Sequence, residues 1–152
     1  MESRELKLAD MREPLNGLPL VFRHRVLYGE VDKMNVAYGS HYLTWFERAR
    51  NEYLRLCGVP YTHIEEKGLI LPVTESRVWH INPVRYDDEI DLRAAVIDCT
   101  KVVATFLVAI DLDGRRAAAG YTRHACLNAE RRPTRLPGWL REKIVRRLDV
   151  GI

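Results

Sequence analysis

The stretch YGEVDKMNVAYGSHY, residues 28–42, decides how this chain is read. Apolar alternation ends just before it, and an aromatic-rich helical period begins just after it. Between them lie a carboxylate, Asp32, and a turn of small and polar residues that leads to Gly39 and Ser40. A strand–turn–helix passage of this kind sets an acidic side chain near the free amides of a helix N-terminus. Those are two parts of an acyl-transfer site: a group that activates a nucleophile, and donors that hold a developing oxyanion.

Upstream, residues 18–28 alternate with period two. Phe22, His24, Val26 and Tyr28 fall on one face, and Val21, Arg23, Arg25 and Leu27 on the other. Were that strand to run on through the turn, Glu30 and Asp32 would share a face as paired carboxylates. Residues 1–18 are polar, end in Pro14, Asn16 and Gly17, and read as an extension. Downstream, Tyr42, Trp45, Phe46, Ala49, Tyr53, Leu56 and Cys57 recur near a 3.6-residue period. Ser40 suits the N-cap of that helix, Gly58 its C′ position and Pro60 a stop. With so broad an apolar stripe, the helix should be largely enclosed.

Four strand-like stretches follow, over residues 69–81, 89–99, 102–112 and 115–128. Asp113-Gly114 between the last two is a hairpin signal, because both central positions of a type I′ turn need positive φ. Pro83 and Tyr86-Asp87-Asp88 separate the second strand from the third. Residues 137–148 read as an amphipathic helix in a basic tail. The chain therefore divides into an N-terminal extension (1–18), one α+β domain (19–130) and a basic C-terminal helical tail (131–152). One helix and five strands make a single core if an antiparallel sheet wraps around the helix. An exposed edge of such a sheet is a place for a second copy to pair.

Bulk properties narrow the function. A chain of 152 residues is the size of one domain, and with 47% apolar residues it is globular. A formal charge of +3 suits anionic metabolites and is too small to argue for nucleic acid; the tail also lacks interleaved aromatics. Cys57, Cys99 and Cys126 show no CxxC spacing, and with no export signal they read as reduced thiols of a cytoplasmic protein. His24, His63, His80 and His124 lack metal-ligand spacing. No apolar run reaches the ~20 residues of a membrane span. There is no phosphate-binding glycine pattern for ATP or NAD.

These residues and their order resemble the hotdog-fold acyl-CoA thioesterases of the 4-hydroxybenzoyl-CoA thioesterase-like branch. The resemblance is carried by Arg25-Val26-Leu27-Tyr28 leading to Asp32, by Val36-Ala37-Tyr38, and by residues 42–50. Residues 82–90, NPVRYDDEI, match the turn into the third strand. The similarity spans roughly residues 20–128. It implies a hotdog fold, a homodimer or dimer of dimers with active sites between subunits, and hydrolysis of an acyl-CoA, with coenzyme A entering as part of the substrate and no separate cofactor. It implies Asp32 as the catalytic carboxylate, acting as general base or nucleophile, and the Gly39 amide as the group that polarises the carbonyl. Many relatives have Gly at Asn35 and His or Tyr at Gly39. Asn tolerates the left-handed conformation such a turn needs, and a backbone amide survives a change of side chain.

Further expectations concern the rest of the site. Tyr38, His41 and Trp45 would shape the acyl pocket, and Thr74 and Ser76, on a strand that faces the partner's site in this fold, would touch the acyl group. The phosphates of coenzyme A call for cations, for which Arg85, Arg116 and Arg123 are placed. Glu47 on the long helix is the rival carboxylate, with a structural ion pair to Arg48, Arg50 or a strand residue as its plainer role. Two other functions compete: release of an acyl group from a carrier protein, and binding of an acyl-CoA without turnover.

Overall fold

A computed structural model of the chain describes residues 4–145. Five strands form one antiparallel sheet: β1 (Leu20–Arg25), β2 (Val73–His80), β3 (Glu89–Cys99), β4 (Val103–Leu112) and β5 (Arg115–Ala125). Their spatial order is β1-β3-β4-β5-β2, which makes β1 and β2 the edges. The helices are α1 (Arg12–Asn16), α2 (Gly39–Leu56), α3 (Tyr61–Glu66) and α4 (Gly138–Ile144). One face of the sheet curls around α2, which is the hotdog arrangement. Register shifts in all four strand pairs supply the bends such a curl needs.

The hairpin between β4 and β5 turns at Asp113 (φ 51°) and Gly114 (φ 76°), both in the left-handed region that its sequence demands. On the face toward α2, β5 contributes Gly120, where an added methyl would collide with the Arg77 carbonyl and lie 2.6 Å from the Phe46 ring. A glycine there lets the helix and β2 approach the sheet together. Trp45, Phe46, Ala49, Tyr53 and Leu54 of α2 are buried, and Tyr53 O–H donates to the Ile144 carbonyl (2.6 Å), which ties α4 to the helix. Helix α2 ends at Gly58 (φ 78°), where Val59 N–H reaches back to the Leu54 carbonyl (3.0 Å).

Several boundaries differ from expectation. Strand β1 stops at Arg25, and Tyr28–Glu30 form a 3₁₀ turn, so Glu30 and Asp32 do not share a strand face. Helix α2 starts at Gly39 with Tyr38 as N-cap, not Ser40, because Val31 and Ala37 pair across the loop and hold Tyr38 extended (φ −76°, ψ 137°). Helix α3 was not foreseen. The predicted terminal helix is observed over Gly138–Ile144; Pro137 and Val145 flank it in extended conformation, Val145 bridging to Val96, and residues 146–148 lie outside those described.

From Arg4 onward the N-terminal extension is tied to the sheet. It crosses the outer face of the sheet from β2 to β3. Glu5 pairs with Arg77 (3.0 Å), the Arg4 carbonyl accepts from Arg123 (2.5 Å), and the Leu18 carbonyl accepts from Arg93 (3.3 Å). Its own Leu15 and Leu18 are buried, and β4 is enclosed on both faces from Ala104 to Ile110.

Candidate active site

The loop between the 3₁₀ turn and α2 is held from several directions. The Val31–Ala37 bridge closes its neck, Tyr38 N–H donates to the Glu30 carbonyl (2.9 Å), and Ala37 N–H donates to the Val84 carbonyl (2.7 Å). Asn35 takes φ 56°, the left-handed turn that its side chain tolerates, and its Oδ1 accepts from Tyr86 N–H (3.3 Å). The stretches 28–42 and 82–90 thus meet at the loop.

Asp32 sits inside this frame, half-buried. Its Oδ1 accepts from Met34 N–H (2.8 Å) and, at longer range, from Val36 N–H (3.4 Å). Those bonds fix the carboxylate's orientation and engage one oxygen; among the described residues Oδ2 has no partner. Asp32 shares a surface cleft with Tyr28, Val31, Lys33, Asn35 and Tyr86. Tyr28 and Tyr86 meet edge to face with ring centroids 5.5 Å apart.

Gly39 lies two residues beyond the neck of the same loop. Tyr38 supplies no side-chain cap, so the Gly39 and Ser40 amides, which lack partners inside the helix, are unpaired among the described residues. Eighteen residues of aligned peptide dipoles stand behind them. Uncapped exposed amides next to a carboxylate loop are the donors an oxyanion requires. Tyr38 is exposed, and the half-buried His41 lies beside it with ring centroids 6.0 Å apart.

Glu30 plays a different part from Asp32. It is buried and accepts three hydrogen bonds, each at 2.7 Å, from His24 Nε2–H, Trp45 Nε1–H and the Leu27 amide. Burial pushes its pKa up. The hydrogen bonds from Leu27, His24 and Trp45 and the charge of His24 outweigh burial and hold it below the ordinary value. This cluster ties β1 to α2 beneath the loop. It also claims Trp45, which points its indole into the core and not into an acyl pocket. The partner of that indole lies fifteen residues back, out of reach of any local pattern.

The remaining expected residues divide. Ser76 is exposed on β2 and lines a groove with Leu43, Thr44, Glu47, Arg50 and Val73. Thr74, at the β2 register shift, donates to the Arg123 carbonyl (3.2 Å). Arg85 has an exposed side chain without an acidic partner among the described residues, and it shares a cleft with Arg115. Arg116 is paired with Asp111 (2.6 Å). Arg123 is buried on the outer face, paired with Glu75 (2.5 Å) and packed over the Tyr121 ring, which takes it away from any mouth of the site. Glu47 makes no ion pair among the described residues, so the structural role expected for it is not seen.

Comparisons with known proteins show the family and the fold. A family model described as the thioesterase-like superfamily matches residues 26–144. The 1,4-dihydroxy-2-naphthoyl-CoA hydrolase of Thermosynechococcus vestitus is 27% identical over 138 residues, covering 84% of this chain and 92% of the relative. Among solved structures, the hypothetical protein TT1821 of Thermus thermophilus superposes with a TM-score of 0.79 at 28% identity, over 83% of this chain and 97% of its own. The DHNA-CoA thioesterase of Staphylococcus aureus gives 0.72 at 30% identity, over 76% and 78%.

Proposed function

The chain belongs to the thioesterase-like superfamily, and from that premise we propose that it hydrolyses an acyl-CoA thioester to the free acid and coenzyme A. The observation that carries the reading is the loop of residues 31–39, which presents an oriented carboxylate and unpaired helix amides within one short, pinned segment. In this reading the Gly39 N–H donates a hydrogen bond to the carbonyl oxygen of the thioester as negative charge develops on it. A preorganised donor of this kind contributes on the order of 3 kcal/mol to the barrier.

Asp32 supplies the remaining chemistry through Oδ2. As a general base it takes a proton from water, the resulting hydroxide adds to the carbonyl carbon, and the tetrahedral intermediate expels the CoA thiolate. As a nucleophile it adds directly, the thiolate leaves, and water hydrolyses the mixed anhydride. One turnover in ¹⁸O-water separates the two, because only the second route leaves label in the Asp32 side chain when water attacks the aspartyl carbonyl. Arg85 is the cation best placed to meet the phosphates of coenzyme A, since Arg116 and Arg123 are engaged by acidic partners.

A homodimer follows from the same reading. Strand β2 is an edge, Ser76 and Arg77 on it are exposed, and Tyr38, Leu43 and Val73 form apolar surface near it and the helix start. Pairing two β2 edges would cover that surface. Molar mass by light scattering tests the assembly.

The activity is tested by release of free thiol from short, long and aryl acyl-CoAs. Asp32→Asn should lower kcat by orders of magnitude without loss of fold, while Glu47→Gln should retain most turnover. The opposite ranking would move the catalytic carboxylate to the helix.

A further inference from the structure

The groove beside Glu47 continues into a half-open cavity of about 310 Å³ between α2, α3 and the start of β2. Its apolar walls are Leu54, Leu71, Pro72, Val73 and Phe106, and its polar lining is Glu47, Arg50, Asn51, Tyr61 and His124. Arg50 and Glu47 line both the groove and the cavity, so they stand where the two join.

The polar groups differ in what they leave available. His124 is saturated: its Nδ1–H donates to the Leu71 carbonyl (2.9 Å), and its Nε2 accepts from the Thr122 hydroxyl (2.8 Å). Tyr61 accepts Leu71 N–H (3.1 Å) at its phenol oxygen, which leaves its own O–H to donate. Arg50 is half-buried, yet no hydrogen bond or ion pair reaches its guanidinium among the described residues. Burial lowers its pKa, and Glu47 and Tyr61 oppose that only through space. A half-buried guanidinium that lines a cavity with its donors unmet is placed to take a carboxylate from outside through paired N–H···O bonds.

Resting on the thioesterase reading above, we propose that this cavity is the far end of the acyl site and selects acyl groups that end in a carboxylate, with Arg50 as the specificity residue and the Tyr61 hydroxyl as a second donor. The reach fits a long acyl group. Arg50 stands eleven residues after Gly39, about 16 Å along the helix axis, and helical side chains lean back toward the N-terminus. A two- or three-carbon acyl chain would not span that distance, whereas an aryl or extended acyl group would set its far oxygen near Arg50. The ring of Phe106 and the aliphatic walls suit the body of such a group. Glu47, at the junction, adds a cost for any carboxylate that stops short of Arg50.

Two isosteric pairs test this on the full chain. The first is 4-carboxybenzoyl-CoA against 4-carbamoylbenzoyl-CoA, compared by kcat/KM. The second is free benzoate against benzamide, compared by Kd from NMR titration, which needs no turnover. The carboxylate should be favoured roughly tenfold or more in each pair, and Arg50→Met should bring both ratios close to one. Arg50→Lys, which keeps the charge without the planar fork, should give intermediate ratios; it decides the matter if the Met variant does not fold. Equal handling of the two members by the wild type, or ratios unchanged in Arg50→Met, overturns the proposal. Hydrolysis without carboxylate preference removes the anion site alone. A benzoate preference lost in Arg50→Met, in a protein that hydrolyses neither ester, keeps the anion site and removes the thioesterase reading.

Discussion

Lowering the pH should reveal His124 as a buried neutral histidine. The residue is 4% exposed, and burial, aided by the nearby Arg50 charge, brings its pKa from 6.5 down to about 4 against the opposing hydrogen bond to Leu71. A histidine with a depressed folded pKa binds its proton in the unfolded chain first. Stability is therefore complete above the unfolded pKa, falls between 6.5 and about 4, and levels off below. At 1.36 kcal/mol per pKa unit the full cost is about 3 kcal/mol, of which about 2 kcal/mol is reached by pH 5. For a domain of this size that is a fall in Tm of roughly 4–8 °C. Urea unfolding of the wild type and His124→Asn at pH 7.5, 6, 5 and 4.5 isolates the term, because other groups cancel in the difference. The wild type should lose about 2 kcal/mol more than the variant between pH 7.5 and 5. Parallel losses would refute the reasoning.

Gly120→Ala should destabilise the fold by about 3 kcal/mol, since the new methyl meets both the Arg77 carbonyl and the Phe46 ring. Phe46→Leu in the same chain should not rescue it, because the backbone clash remains; a thermal melt near wild type would contradict this. Trp45→Phe removes one donor from the buried Glu30 and should cost about 1.5–3 kcal/mol in chemical unfolding. An unchanged midpoint would mean that the indole bond carries little.

Most of the architecture was legible because each strand advertises its own period. Residues 89–99 came through to the residue, and Asp113-Gly114 marked its hairpin by the backbone angles that only such a pair adopts readily. What one-dimensional pattern misses is partnership at a distance. Ser40 has the better N-cap chemistry, yet a bridge between Val31 and Ala37 starts the helix one residue before it. The helical period placed Trp45 on the apolar stripe correctly, but its role depends on Glu30 arriving beneath it. The strap over the outer face did leave a signal: Leu8, Met11, Leu15 and Leu18 recur at helical intervals inside a segment whose composition is otherwise polar. Of the candidate site, the loop that sets Asp32 just before the helix start could be read from sequence. The unpaired state of Arg50 and Glu47 could not, because a charge without a partner is a fact about three-dimensional neighbours.

The most direct test of the proposed site removes one hydrogen atom's worth of chemistry. Gly39→Pro deletes the amide donor at the first helical position, where proline is well accommodated; Tyr38 already has the extended angles that precede a proline, and no atom stands within 4 Å of a Cβ there. Gly39→Ala, which keeps the N–H, controls for the added side chain. If the amide holds the oxyanion, the proline variant folds as well as the alanine variant and has a kcat on acyl-CoA lower by about 10²–10³. Equal kcat in the two variants would contradict the account.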